Sequence, residues 1–256
     1  MRAPKDQHFL VDRNAVRRIA DLVDLRDRLV LEIGPGEGIL TGELLSRGAK
    51  VNAVEIDPDL VDELTLFFAD EIETGRLSVI CGDAIRCELP PFNVVISNLP
   101  YSASSKITFR LLSAGFEEAV LMYQEEFARR MVAPAGTPDC GRLSIMVQTY
   151  CCVERCFDLP PQAFSPKPQV RSTVVRMKLR GPLFPISDDA LYADVVRALF
   201  SHRRKTVRNC LRTSAGILDP ARAEKMLAGL SEEILASRPE TLYLEDFATI
   251  TNLAAE

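Results

Sequence analysis

The chain has 256 residues, 47% apolar and 26% charged, which is the composition of an ordinary soluble globular protein with a sizeable core. No apolar run approaches the roughly 20 residues that a membrane-spanning helix needs, and the N-terminus, MRAPKDQHFLVDR, lacks the apolar core of a signal peptide. We therefore expect a cytoplasmic protein without a membrane partner, and the formal net charge of −5 argues against a uniformly basic nucleic-acid binder.

Short apolar runs alternate with amphipathic stretches between residues 28 and about 130. Continuous apolar strands that alternate with helices are typical of a parallel sheet covered on both faces. The pattern therefore predicts an α/β fold. The predicted strands are 28–34, 50–57, 77–83, 93–98 and 118–124, and the predicted helices are 38–48, 58–72 and 106–115.

The pattern changes after residue 130. Two long strands are predicted over 142–159 and 171–180, joined by the proline-rich segment 160–170. We expect them to complete the sheet as an antiparallel pair.

The C-terminal part of the chain has a helical pattern. Residues 180–187 are typical of a linker, and the helical signals run from Asp188 to the end. We therefore expect two domains, a sheet domain over 1–180 and a small helical domain over 181–256.

Basic residues concentrate in one part of this acidic chain. Between residues 160 and 212, eleven Lys or Arg stand against three Asp or Glu. A local basic surface on an acidic protein favours docking to a polyanion, although a solvated helix face is the commoner explanation of such a run.

The seven cysteines do not predict a metal site. None forms a C-x-x-C pair, and the chain has only two histidines. We expect no metal and reduced thiols, and a disulfide in the cluster 151–156 stays an open alternative.

The first predicted strand ends in the glycine-rich turn EIGPGEG. Gly34, Gly36 and Gly38 permit a tight turn and a close backbone approach to a ligand. A dinucleotide site needs a third small residue where this chain has Ile39, and the lysine of a triphosphate loop is missing. The turn therefore favours a ligand without phosphates, such as S-adenosylmethionine.

Acidic residues follow the next two predicted strands. Glu55, or alternatively Asp57, can accept hydrogen bonds from ribose hydroxyls, and Asp83 can accept one from an adenine amino group. Acids at strand ends are often helix caps. Because the carboxyl ends of parallel strands meet at one edge, the glycine turn and the acids together predict a nucleoside pocket.

The fourth predicted strand ends in NLPY. The side-chain carbonyl of Asn98 and the main-chain carbonyl of Leu99 can accept hydrogen bonds from an exocyclic amine, and Pro100 stiffens the turn. Tyr101 offers a flat face on which a base can stack. Beside a sulfonium methyl group, this arrangement predicts methyl transfer to an adenine amine by positioning, without a metal or a nucleophilic side chain.

With these motifs the chain resembles the small-subunit ribosomal RNA adenine N6,N6-dimethyltransferases, the KsgA family. The resemblance covers nearly the whole chain, and it implies a Rossmann-like class I methyltransferase sheet with a small C-terminal helical domain. The motifs, in chain order, are DQHFLVD (6–12), LEIGPGEGILT (31–41), EID (55–57), GDA (82–84), NLPY (98–101), FSPKPQVRS (164–172) and LFSHRRKTVRN (199–209).

The resemblance also implies roles for individual residues. Tyr101 would stack on the target base, and Phe164 would close the pocket from the other side. His8 stands where the family usually has asparagine. The implied contacts of S-adenosylmethionine are His8, Leu10, Gly34, Gly36, Glu55, Asp83 and Asn98.

The implied substrate is a pair of adjacent adenines in the terminal helix loop of small-subunit ribosomal RNA, methylated in the assembling subunit by a monomeric enzyme. Single-stranded loop bases suit such a pocket because they can be splayed out and stacked. The expected phosphate contacts are Lys167, Arg203, Arg204, Lys205 and Arg208.

Three alternatives stay open on the sequence alone. One is an adenine methyltransferase of large-subunit RNA. The NLPY segment and the predicted helix that contains RRKT (203–206) favour the small subunit over it. Another is a ribosome-assembly factor that makes little catalytic use of the pocket. The third methylates DNA or a protein glutamine, and Leu99 and the basic C-terminal region count against it.

Overall fold

The computed structural model describes residues 7–202 and 204–255. Its strands are β1 (Phe9–Leu10), β2 (Leu29–Ile33), β3 (Lys50–Glu55), β4 (Leu77–Cys81), β5 (Val94–Asn98), β6 (Glu118–Gln124), β7 (Cys151–Leu159), β8 (Phe164–Ser165) and β9 (Ser172–Leu179). Its helices are α1 (Arg13–Ala20), α2 (Ile39–Ser46), α3 (Pro58–Phe67), α4 (Ala69–Glu73), α5 (Ser104–Ala114), α6 (Glu125–Met131), α7 (Arg142–Tyr150), α8 (Asp189–Phe200), α9 (Val207–Arg212), α10 (Pro220–Gly229), α11 (Glu232–Ala236) and α12 (Leu244–Asn252).

Seven strands form one sheet in the order β4-β3-β2-β5-β6-β9-β7. Neighbours from β4 to β6 are parallel, and β9 pairs antiparallel with β6. The strand order reverses between β2 and β5, and ligands of open α/β sheets bind at the carboxyl ends of strands beside such a reversal. The predicted α/β class is confirmed.

The central strands are buried because both faces of the sheet are covered. Val94, Val95 and Ile96 of β5 are each 0% exposed. A strand buried on both faces has no polar face to alternate with, which is why its sequence is a continuous apolar run. A separate two-stranded sheet pairs β1 with β8, with Leu10 opposite Phe164.

The prediction of one strand over 142–159 is wrong in its first half, where the chain forms helix α7. Ile145, Met146 and Val147 are all buried, and a helix buried around most of its circumference has the same apolar run as a buried strand. The hydroxyl of Ser144 accepts the Gly141 N–H at 3.1 Å and so caps the first turn. Only Cys151–Leu159 continues as β7.

The chain divides into two compact units. One contains the residues up to Ala128 with Val153–Leu179, and the other contains Arg129–Cys152 with Arg180–Glu256. The second unit therefore includes 129–152, which the sequence assigned to the sheet domain. Helix α7 packs with α8 there, and the hydroxyls of Thr149 and Tyr192 hydrogen-bond at 2.8 Å.

Three further observations bear on the sequence predictions. No helix in the described part of the chain is long and apolar enough to span a membrane. None of the seven cysteines forms a disulfide in the structure. Residues 7–202 and 204–255 contain no cluster of three or more His, Cys, Asp or Glu side chains that could hold a metal ion.

Candidate active site

A cavity of about 290 Å³ lies at the carboxyl ends of the parallel strands. This volume is near the lower end of the range for small-molecule sites. The strand order brings together residues that are far apart in the chain. The predicted residues that line the cavity are His8, Gly34, Gly36, Glu55, Asp83, Asn98, Leu99, Pro100 and Tyr101.

The glycine turn after β2 forms one wall of the cavity. Gly36 has a φ of +57°, and a Cβ atom on it would lie 2.5 Å from Cδ1 of Phe9. Its N–H donates to Oε2 of Glu55 at 3.2 Å. Only glycine fits here, because both the backbone conformation and the space exclude a side chain.

Glu55 lies at the end of β3 and is 2% exposed. Its Oε1 accepts the N–H groups of Ile56 at 2.9 Å and Asp57 at 3.1 Å, so the carboxylate is held in place. The side chain of Asp57 instead accepts the Asp59 N–H and caps helix α3. Of the two acids considered, Glu55 is thus the one whose carboxylate is buried and fixed by backbone N–H groups at the cavity.

Glu32 is a buried acid that the sequence reasoning missed. It is 1% exposed, and Thr41 Oγ1 donates to its Oε2 at 2.7 Å. Burial raises the pKa of Glu32 to about 8, the Thr41 hydrogen bond opposes this, and the nearby Glu55 adds to it. The sequence feature that could have revealed this buried residue is the single acid within the apolar run LVLEIG (29–34).

A second, small cavity lies beside the glycine turn. Glu32 and Leu10 line it, together with Gly34 and Asn98. Leu10 is 6% exposed and does not line the main cavity, because its side chain belongs to the hydrophobic core. The expected contact of Leu10 with the cofactor therefore has no support in this geometry.

Asp83 follows β4 and lines the main cavity. Its Oδ1 accepts the Ile85 N–H at 2.9 Å, and Arg86 Nε lies 3.6 Å from its Oδ2. Ile56 and Ile85 add apolar wall to the same part of the cavity, a contribution that the motif did not predict. An acid next to an apolar wall suits a purine, because the ring has apolar faces and a polar edge.

The NLPY segment forms the opposite wall. The Asn98 side-chain NH2 donates to the His8 carbonyl at 2.8 Å, so the acceptor that remains on the amide is Oδ1. Leu99 is buried and Pro100 is exposed. Tyr101 begins a 3-10 turn, and its hydroxyl hydrogen-bonds Ser172 Oγ at 2.6 Å, which holds the ring in position.

His8 lies beside the tyrosine. Its ring centroid is 5.4 Å from that of Tyr101, with 35° between the planes. Its Nδ1 donates to the carbonyl oxygen of Pro166 at 2.7 Å. The expected cofactor residue thus also borders the place where the target base would stack.

Phe164 does not take the position that the resemblance implies. It is 2% exposed, lies in the hydrophobic core and is absent from both cavity linings. Its place opposite Leu10 in the β1–β8 pair directs it inward. In this structure it supports the wall of the site and does not face a base.

The expected RNA-binding residues have different environments. Lys167 and Arg204 are exposed, and Lys205 Nζ donates to Thr213 Oγ1 at 3.4 Å. Arg208 pairs with Glu232, so its charge is partly compensated within the protein. Arg203 lies outside the described residues.

The basic stretch RRKT was expected to lie within a helix, and this prediction is wrong for the described residues 204–206. Helix α8 ends at Phe200 and α9 begins at Val207, so Arg204 and Lys205 lie in the connection between them. The Thr206 side chain accepts the Asn209 N–H and caps α9. A threonine cap interrupts what the apolar periodicity presents as one helix.

Comparison with known proteins gives a consistent result. A family model for ribosomal RNA adenine dimethylases matches residues 2–250. A probable ribosomal RNA small subunit methyltransferase A of Methanospirillum hungatei is 59% identical over 252 residues, covering 98% of each chain. One of Halobacterium salinarum is 44% identical, covering 97% of this chain and 88% of that one.

Two solved structures share the fold over nearly the whole chain. A dimethyladenosine transferase from Plasmodium falciparum is 28% identical with a TM-score of 0.78, covering 95% of this chain and 96% of that one. The 23S rRNA methyltransferase ErmE is 30% identical with a TM-score of 0.64, covering 97% and 100%. The sequence and the fold agree with the motifs, and the chain belongs to the ribosomal RNA adenine dimethylase family.

Proposed function

We propose that this protein dimethylates N6 of two adjacent adenines in the 3′-terminal helix loop of small-subunit ribosomal RNA, with S-adenosylmethionine as methyl donor. One observation carries the proposal: Asn98 and Tyr101 line the same cavity as the glycine turn and the buried Glu55. The substrate follows the names of the most similar relatives, which are small-subunit methyltransferases. It would act as a monomer in the cytoplasm.

The cavity fits S-adenosylmethionine by the chemistry of its lining. Glu55 offers a buried acceptor to ribose hydroxyls, and Asp83 offers one to an adenine amine. Gly36 borders the cavity with its backbone, and the Phe9 ring fills the space that a side chain on Gly36 would need. When bound, the cofactor supplies a methyl group already activated by its sulfonium charge.

Asn98 and Leu99 would orient the target amine. The adenine amine lone pair is delocalised into the ring, and acceptors at Asn98 Oδ1 and the Leu99 carbonyl draw the nitrogen toward tetrahedral geometry. An amine held in this way would present its lone pair to the methyl group that the cofactor supplies. Positioning and electrostatics would provide the rate enhancement, and the proton lost from the amine would pass to water.

Tyr101 would hold the flipped base from one face. Its hydroxyl is engaged by Ser172, so the ring keeps its orientation before the base arrives. A preformed stacking face reduces the cost of immobilising an unstacked base. The ring of His8 borders the same space.

The decisive experiment measures transfer of labelled methyl groups to unmethylated small subunits, to large subunits and to naked small-subunit RNA. We expect two methyl groups on each of two adenines in the small subunit. Absence of transfer to every substrate, with cofactor bound, would favour the assembly-factor alternative.

A large-subunit substrate is the second candidate. The likeness to ErmE, at 30% identity and a TM-score of 0.64, is the observation that favours it. Predominant methylation of large subunits in the same assay would replace the small-subunit proposal.

A further inference from the structure

Helix α1 has a basic face that the proposed methyl-transfer site does not use. The helix buries Ala15, Val16, Ile19 and Ala20 against the core. Its opposite side is exposed and carries Arg13, Arg17 and Arg18, called here the α1 arginine face. Arg13 and Arg17 are one helical turn apart and therefore neighbours, and Arg18 follows on the same exposed side of the helix.

The charges of the α1 arginine face are not compensated within the described residues. No carboxylate of 7–202 or 204–255 makes an ion pair with these three arginines, whereas Arg28, Arg47 and Arg76 each have one. The nearby acids are engaged elsewhere. Asp12 caps the helix by accepting two backbone N–H groups, and Asp21 accepts Arg47.

The positive surface continues onto β7. The guanidinium of Arg18 lies 3.8 Å from the centre of the Phe157 ring. Arg155 also belongs to β7 and is exposed. Arg155 and Arg171 share a single acid, Asp158, at 3.5 and 3.8 Å, so this group also keeps a net positive charge.

Strand β1 connects this surface to the cavity. His8 lines the cavity directly before β1, and Arg13 opens α1 directly after it. His8 also hydrogen-bonds the carbonyl of Pro166, and the next residue, Lys167, is exposed. Because β1 and β8 run antiparallel, Lys167 lies at the cavity end of the pair and Arg13 beyond its other end, so positive side chains stand at both ends of this connection.

We propose that the α1 arginine face, together with Lys167, binds the phosphates of the RNA strand that carries the target base. The inference rests on the proposed function, because a base inside the cavity requires its own backbone to leave along the adjoining surface. A protein with a net charge of −5 attracts a polyanion only where positive charge is concentrated. Arginine also suits phosphate because its planar fork binds two oxygens together.

The test uses the double variant Arg13→Gln/Arg17→Gln. Glutamine keeps a long polar side chain and a high helix propensity. Arg18 stays unchanged, because it also packs on Phe157. The matched control is Arg26→Gln/Lys50→Gln, which removes two exposed charges at the opposite, amino-terminal end of the strands.

Binding to unmethylated small subunits, and to naked small-subunit RNA, is measured over a series of salt concentrations. We expect the slope of log affinity against log salt to fall by roughly 1.4–1.8 for the α1 variant, since each lost phosphate contact removes about 0.7–0.9. The KM for the particle should rise several-fold, while kcat and cofactor affinity stay unchanged. The control should keep the wild-type slope.

An α1 variant with the slope of the control would overturn the inference while wild-type methylation still supports the proposed function. A loss of binding seen with particles but not with naked RNA would also overturn it, because the face would then contact a ribosomal protein. If the wild-type protein methylates none of the substrates, it is the proposed function that fails.

Discussion

The cavity and the basic segment 204–208, which runs from the α8–α9 connection into α9, are both predicted to bind RNA, but their side chains are held in different ways. Backbone groups hold the polar side chains of the cavity: Glu55 accepts three N–H groups, and Asn98 donates to a carbonyl. Arg204 is exposed, and Arg208, in the first turn of α9, pairs with the exposed side chain of Glu232. Chemistry requires a fixed geometry, whereas attraction of a polyanion requires only charge.

The largest effect should come from Asn98→Ala, which tests whether the cavity works by geometry. Loss of Oδ1 removes one of two acceptors for the target amine, and we expect kcat to fall by about 10²–10³-fold. The measurement is single-turnover methyl transfer, with cofactor affinity determined separately by calorimetry.

Asn52→Ala is the control for this change. The Asn52 side-chain NH2 also donates to a backbone carbonyl, that of Pro91, at 2.8 Å, but the residue does not line the cavity. Its kcat should stay at the wild-type level. Equal activity of the two variants would remove Asn98 from the mechanism.

Gly36→Ala should have the next largest effect. The added Cβ would meet the Phe9 ring at 2.5 Å, and we expect overpacking to destabilise the turn by about 1–3 kcal/mol. Gly75→Ala is the matched control, because Gly75 has a similar φ of +68° and nothing within 4 Å of its Cβ position. The readouts are cofactor affinity and the free energy of unfolding.

Backbone strain is common to both glycine variants, so the difference between them measures the close approach at the cavity. If Gly36→Ala binds the cofactor as tightly as Gly75→Ala does, the close packing of Phe9 on Gly36 is not required for cofactor binding.

A smaller effect on particle binding is expected from the single variants Arg204→Gln and Arg208→Gln. Of these two, Arg204→Gln should have the larger effect. Removal of the exposed charge should lower the salt slope of particle binding by about 0.7–0.9. Removal of the paired charge should change it less, because Glu232 already offsets it. Salt titrations of both variants check the order, and a larger loss for Arg208→Gln would reverse our assignment.

The last prediction concerns Glu32, whose raised pKa makes stability depend on pH. An unfolded glutamate ionises near pH 4.5, whereas the folded one does so at about 8. Folding therefore takes up a proton in this window, and the contribution to stability, full below pH 4.5, declines as pH rises to about 8. We expect the Tm of Glu32→Gln to fall less over this range than that of the wild type.

Glu63→Gln, which alters an exposed acid, is the control for the thermal unfolding series. It should reproduce the wild-type slope of Tm against pH. If Glu32→Gln has that slope too, Glu32 does not supply the proton uptake.

The amino-acid sequence was sufficient to predict the sheet core and the glycine turn, and to place Glu55, Asp83 and the NLPY segment at one cavity. These features are local: a buried strand is a continuous apolar run, and parallel strands place their carboxyl-end residues at one edge. Such rules need no knowledge of distant contacts. The α/β class followed from these rules and the family from the resemblance of the motifs, and both are confirmed.

Which side chains line the cavity, and which charged residues form pairs, could be learned only from the three-dimensional structure. Phe164 and Leu10 turn into the core because β1 pairs with β8, and α7 is a helix because packing surrounds an apolar run that would also suit a strand. Arg208 pairs with Glu232, which lies 24 residues away in the chain. Burial and pairing depend on neighbours distant in the chain, and no local pattern specifies them.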